Sequence, residues 1–105
     1  MADLVAKPTL ADYQQLISTL IVERKYDKET IPEVFTLLVE EVGELAKAIR
    51  KYNGQKVHVD SRTHNVAEEL ADVLWLLIDL SNRLGIDLEQ AFRDKEEKNK
   101  NRKIA

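Results

Sequence analysis

The sequence has no cysteine, two prolines and three glycines in 105 residues, and each scarcity removes a class of protein. Without cysteine there are no disulfides, no thiolate metal sites and no cysteine nucleophile. So little turn chemistry argues against a many-stranded β fold. No run approaches the ~20 apolar residues that a bilayer requires, and Met1 to Thr9 lacks an apolar segment of signal-peptide length, so a cytoplasmic chain with no membrane partner is expected. Neither sign of charge dominates, with 16 basic against 19 acidic residues. A dedicated nucleic-acid binder would be globally basic, so no nucleic-acid polymer is expected as a partner. Glycine-rich phosphate cradles of the GxxxxGK or GxGxxG kind are also missing.

What is abundant is Leu, Val, Ile and Ala at helical spacing. Leu10, Tyr13, Leu16, Ile17, Leu20 and Ile21 recur at intervals of three and four, one face of a helix over 9–24 with Thr9 as its cap. Thr30-Ile31-Pro32-Glu33 reads as a capping box, opening a second helix that runs to about Tyr52, where Asn53-Gly54 stops it. The stretch through His64 reads as a loop, with only a short Val57-His58-Val59 alternation; His58 and His64 lack the partners of a zinc site. Asn65 with Glu68 begins a third helix to Leu84, and Gly85-Ile86 fits a left-handed stop. Asp87 with Gln90 begins a fourth, expected to dissolve into the charged segment from Lys95 to Lys103, so that residues 96–105 would be a flexible tail. The expectation is a single all-α domain over residues 1–105, a four-helix bundle with short connections apart from the loop between helices two and three. A chain of this size buries only roughly 60 to 70 per cent of its unfolded surface, so self-association would help it.

On the second helix Leu38, Val42, Leu45 and Ile49 form the expected centre of the apolar stripe, flanked by Val34 and Phe35, with Glu41 and Glu44 at its edge and Glu40 further towards solvent. On the third, Leu70, Leu74 and Leu77 define the expected core direction, with Glu69 and Asp72 beside it. Each helix thus carries an i, i+3 carboxylate pair next to apolar rather than basic residues. Either pair alone is, in most proteins, a solvated face, and it is two pairs on two adjacent helices that point to a metal. Four carboxylates facing one another would repel or protonate, and a divalent cation resolves that conflict. An all-oxygen ligand set selects Mg²⁺, with Mn²⁺ as a substitute, and Mg²⁺ commonly shares its shell with substrate phosphates.

The strings Leu38-Val39-Glu40-Glu41-Val42-Gly43-Glu44-Leu45-Ala46 and Glu68-Glu69-Leu70-Ala71-Asp72-Val73-Leu74 resemble the EExxE and ExxD motifs of MazG-like nucleotide pyrophosphohydrolases, in order and in separation. The likeness extends to Asp87-Leu88-Glu89-Gln90-Ala91 and to Lys95, Asn99 and Arg102. The resemblance implies an all-α subunit that forms a homodimer or homotetramer. It also implies Mg²⁺-dependent hydrolysis of a (d)NTP to (d)NMP and pyrophosphate, in nucleotide-pool control or clearance of non-standard nucleotides. It makes Glu41, Glu44, Glu69 and Asp72 metal ligands, and Lys95, Asn99 and Arg102 binders of the nucleoside triphosphate. A spare carboxylate, Glu40 or Glu41, is the candidate catalytic base, with Glu40 the less central on the helical wheel. Tyr26 is taken as a substrate-binding residue, with Tyr13 the other aromatic candidate for a base platform; Arg24 and Lys25 beside Tyr26 are either phosphate contacts or ordinary helix-end charges.

Trp75, beside Asp79 and Asn82, lies on a side of helix three that a lone four-helix bundle would expose, which points to subunit association, with burial by helix one as the alternative. Two other functional readings compete: phosphoribosyl-ATP pyrophosphohydrolase, and a non-catalytic helical interaction module.

Overall fold

The computed structural model describes residues 2–54 and 65–102, and their regular structure is entirely helical. Four helices pack together: α1 (Leu10–Glu23), α2 (Ile31–Tyr52), α3 (Val66–Arg83) and α4 (Leu88–Lys100). None is long and apolar enough to cross a membrane. The expected loop containing Val57, His58, Val59 and His64 lies outside the described residues.

Local chemistry sets the helix starts. Thr9 and Thr30 each accept the backbone N–H of the residue three on, and Asp12 and Glu33 reach back to the cap N–H, closing two capping boxes. The Thr30 N–H and hydroxyl hold the Glu33 carboxyl below its ordinary range. Asn65 and Asp87 cap α3 and α4 through the N–H groups of Glu68 and Gln90. The α3 stop is a Schellman turn at left-handed Gly85, with Ile86 N–H on Ser81 O at 2.9 Å and Gly85 N–H on Asn82 O at 3.1 Å.

Two features differ from the sequence expectation. First, α4 does not dissolve at Lys95 but continues to Lys100. Its polar side chains pair along the helix, Arg93 with Glu89 at 2.8 Å, Gln90 with Asp94 at 2.9 Å and Asn99 with Glu96 at 2.9 Å, and such neighbours support a polar helix. Second, the apolar stripes assigned to the core are partly on the outside. Leu70, Leu74 and Leu77 are 53, 42 and 44 % exposed, and Phe35, Val42 and Ile49 are likewise exposed. The buried positions of α2 are instead Val34 and Ala48, with Glu41 midway between them at heptad spacing, and those of α3 are Glu69, Ile78, Asp79 and Ser81. The acids therefore stand in the seam between α2 and α3, and the bulkier apolar stripes face away from it.

The small core joins Ile17 and Ile21 of α1 to Ile78 of α3, with Tyr13, Trp75 and Leu88 packed against it. Trp75 is accordingly half-buried by α1 within one chain, the second of the two alternatives, and Asp79 beside it is buried as well. Gln14 pins the three neighbouring elements. Its amide donates to Asn82 Oδ1 and Ile86 O, each at 2.9 Å, while its carbonyl accepts the Leu88 N–H at 3.0 Å. That bond fixes the start of α4, which otherwise packs mainly against α1.

Candidate metal centre

Helices α2 and α3 form the principal packed pair, and at one point on their seam three carboxylates converge. One oxygen each from Glu41, Glu69 and Asp72 lies within 4.8 Å of the others. Glu69 is buried, Glu41 half-buried and Asp72 open to solvent, so the cluster has a closed side and an open one. The i, i+3 spacing of Glu69 and Asp72 aims both at the same seam, and Glu41 meets them from α2.

The electrostatics of this grouping are unfavourable to three negative charges. Burial pushes the Glu41 carboxyl up to about 7, aided by a hydrogen bond shared with Glu69 and by the negative charges of Asp72, Glu69 and Glu44. A hydrogen bond between two carboxyls needs a proton on one of them, and the raised Glu41 carboxyl is the one that keeps it to higher pH. A divalent cation would relieve the same repulsion without that proton, and three hard oxygen donors with one side open fit Mg²⁺ or Mn²⁺.

The other residues singled out by sequence fall at graded distances from this centre. Glu44 stands one turn along α2, near enough to raise Glu41, but its carboxylate is outside the convergent trio and lies 3.8 Å from Lys47 Nζ. Glu40 is exposed to solvent. Tyr26 lines a cleft of about 280 Å³ together with Arg24, Glu41, Asp72, Trp75 and Leu76, so the open side of the carboxylate cluster is one wall of a cavity with two aromatic rings. Tyr13 lines a separate apolar cleft and packs on the core. Lys95 and Arg102 are exposed on and just beyond α4, Asn99 bonds Glu96, and none of the three lines the cleft. His58 and His64, read as loop residues without the partners of a zinc site, lie outside the described residues.

Sequence reasoning passed over two residues near the cleft. Asp79 and Arg83 form an ion pair at 2.8 Å, and Arg83 also donates to the backbone carbonyls of Tyr26 and Glu29. The available signal was an Asp and an Arg at i, i+4 within an otherwise apolar helix, a spacing that reads as an ordinary surface pair.

Comparison with known proteins gives the family of the chain. Residues 29–104 match the model of the MazG nucleotide pyrophosphohydrolase domain family. Mouse (Mus musculus) dCTP pyrophosphatase 1 is 34 % identical over 101 residues, covering 91 % of this chain and 59 % of the mouse protein. The chain thus spans about three fifths of the length of that relative. Among solved structures, the Bacillus-conserved MazG protein, described as a nucleotide pyrophosphohydrolase, is 32 % identical with a TM-score of 0.73, over 90 % of this chain and 92 % of that one. The putative pyrophosphatase YPJD from Bacillus subtilis is 29 % identical with a TM-score of 0.80, over 94 % and 100 %.

Proposed function

The chain belongs to the MazG nucleotide pyrophosphohydrolase family, and from that membership we propose that it hydrolyses nucleoside triphosphates to the monophosphate and pyrophosphate with Mg²⁺. The observation that carries this reading is the convergence of Glu41, Glu69 and Asp72 within 4.8 Å at the mouth of an aromatic-walled cleft. In this reading the three acids would hold the ion, with Glu44 as a further ligand from α2. When bound, the metal neutralises phosphate charge and makes a water more acidic. A carboxylate of the cluster that is not engaged by the ion would take the proton, and Glu41 is one candidate. Glu40, exposed one residue earlier, is the alternative base.

Tyr26 and Trp75 give the cleft a surface for a nucleobase, and Arg24 adds positive charge at its rim. Lys95, Asn99 and Arg102 complement the triphosphate by charge and by the guanidinium fork. Because α4 packs mainly on α1, those three residues serve the cleft through closure of α4 or through α4 of a second copy. Association is supported by the exposed apolar stripes of α2 and α3, which suit a homodimer or a homotetramer. The single domain over 1–105 would then be the repeating subunit, with its role in nucleotide-pool control or clearance of non-standard nucleotides.

The test is pyrophosphate release from a nucleotide panel with and without Mg²⁺. dCTP leads the panel because of the mouse relative, and phosphoribosyl-ATP is included as the competing substrate. Asp72→Asn and Glu69→Gln are expected to lower turnover by about 100-fold or more, the scale of losing a metal's charge stabilisation. They should also lose the rise in melting temperature that Mg²⁺ gives the wild type. No pyrophosphate from any nucleotide, and no thermal response to Mg²⁺, would favour a non-catalytic interaction module.

A further inference from the structure

The wall of the cleft opposite the carboxylates is the turn that follows α1, and it is held in a costly conformation. Lys25 sits in the left-handed region at φ 63, where a glycine would normally stand. A Schellman closure surrounds it, with Tyr26 N–H on Ile21 O at 2.8 Å and Lys25 N–H on Val22 O at 3.1 Å. The residues flanking Lys25, Arg24 and Tyr26, are the two that this turn contributes to the cleft. The unusual backbone thus determines where both side chains stand.

From α3, one guanidinium reaches this turn. Arg83 Nη2 donates to Tyr26 O at 2.7 Å, Nη1 donates to Glu29 O, and Nε donates to Asp79 Oδ1 at 2.8 Å. Asp79 is only 2 % exposed, and its second oxygen has no hydrogen-bond partner. A buried ion pair with an unsatisfied oxygen is poor value as plain core, where apolar residues of similar volume often serve as well or better. Its geometry makes sense as a strut: Asp79 aligns the guanidinium along α3, and the remaining donors clamp the two carbonyls. A lysine in place of Arg83 could not make this three-way contact, because an ammonium lacks the planar fork.

We propose that Asp79 and Arg83 are positioning residues that hold the Arg24–Tyr26 wall of the cleft at its working distance from the Glu41 and Asp72 carboxylates. The inference deepens the nucleotide reading above and rests on it for the identity of the occupant. Neither residue touches the cleft; both act through the turn.

The experiment compares Arg83→Lys, Asp79→Asn and Tyr26→Ala in the full chain, by steady-state pyrophosphate release and by acrylamide quenching of Trp75. Trp75 is the sole tryptophan and lines the same cleft, so its accessibility reports the turn without requiring turnover. For Arg83→Lys the expected result is a KM raised roughly fivefold or more with kcat changed less than about twofold, the signature of lost substrate binding. Trp75 quenching should increase, while the exposed-pair control Arg93→Lys leaves it unchanged. In a Tyr26→Ala background Arg83→Lys should add less than it does alone, only the part that acts through Arg24, since residues acting through one another are non-additive. Asp79→Asn, which keeps an acceptor but loses the charge, should move the same quantities in the same direction and serves if Arg83→Lys fails to fold.

A folded Arg83→Lys or Asp79→Asn with unchanged KM and unchanged Trp75 quenching overturns the strut, as does a full additive effect on top of Tyr26→Ala. Unchanged KM in Tyr26→Ala itself, or absence of pyrophosphate release by the wild type, counts against the nucleotide reading instead. In that event the quenching comparison alone decides the strut, increased accessibility upholding it and unchanged accessibility rejecting it.

Discussion

Glu41 concentrates the chemistry of the chain in one ionisation. Its folded-state value of about 7 lies above its ordinary 4.5, so between those pH values the metal-free folded protein binds more protons than the unfolded chain. Stability must then fall as pH rises through that window and level off above it, by on the order of 1 to 3 kcal/mol. Glu41→Gln cannot ionise, so in EDTA at pH 8 it should be more stable than the wild type by a similar amount, with the difference vanishing near pH 4. Urea unfolding from pH 4 to 8 measures this; parallel curves for the two proteins would mean that the repulsion is absent. Metal affinity should run the other way. Binding displaces the Glu41 proton, so the wild-type affinity for Mg²⁺ or Mn²⁺ should rise by up to about tenfold per pH unit below 7 and flatten above it.

The convergence of Glu41, Glu69 and Asp72 was readable in the sequence because acids set beside apolar residues stand out, and i, i+3 spacing constrains direction. Their immediate surroundings were harder to read. The core stripe of α2 passes through Val34, Glu41 and Ala48, and a second apolar stripe through Phe35, Val42 and Ile49 runs one residue out of phase. A hydropathy pattern favours the second, since it has no acid in it. Only the packing of α3 shows that the helix buries the stripe with the glutamate. Asp79 and Arg83 escaped for the same reason: a charged pair is taken for solvent-facing until a neighbouring backbone is seen to satisfy it.

At the scale of elements, starts and stops were the most legible features because each is decided within a few residues. Thr30 with Glu33, Asn65 with Glu68, and Gly85 are local signals and appear in the structure as caps and a left-handed stop. The end of α4 was not, because its helix rests on several weak pairs between like-looking polar residues, whose sum no single motif announces. The cap of α3 bears on the carboxylate cluster, since Glu69 lies in the first turn it secures. Asn65→Ala removes the acceptor for the Glu68 N–H, 3.2 Å away, and should cost about 1 kcal/mol of unfolding free energy. Fraying of that turn should also weaken Mg²⁺ binding, whereas Asn65→Ser, which retains an acceptor, should restore most of both. Urea denaturation and a Mg²⁺ titration followed by thermal shift check the two effects. A stability loss with unchanged metal response would separate the cap from the site.

At the scale of the whole molecule the unresolved balance is between a thin core and a large uncovered apolar surface. Phe35, Val39, Val42 and Ile49 follow heptad spacing along α2, and Leu70, Leu74 and Leu77 do so along α3, all of them exposed in the single chain. Two such stripes on a pair of packed helices are what a helix-on-helix interface between copies requires. The reasoning yields a prediction whose sign separates monomer from oligomer. In a monomer, Phe35→Asp or Leu77→Asp replaces an exposed apolar side chain with a soluble one and should be neutral or slightly helpful, within about 0.5 kcal/mol. In an assembly built on these stripes, the same change buries a charge, so the copies should separate and the melting temperature should fall and lose its dependence on protein concentration. Light scattering coupled to size exclusion, with Val22→Asp at an exposed position of α1 as the control, reads the mass directly. The expected outcome is dissociation for the α2 and α3 variants and none for the control. If the dissociated chain also loses pyrophosphate release while Glu41, Glu69 and Asp72 still bind Mn²⁺, then part of the triphosphate site comes from the neighbouring copy, and α4, with Lys95, Asn99 and Arg102, is the element to test next.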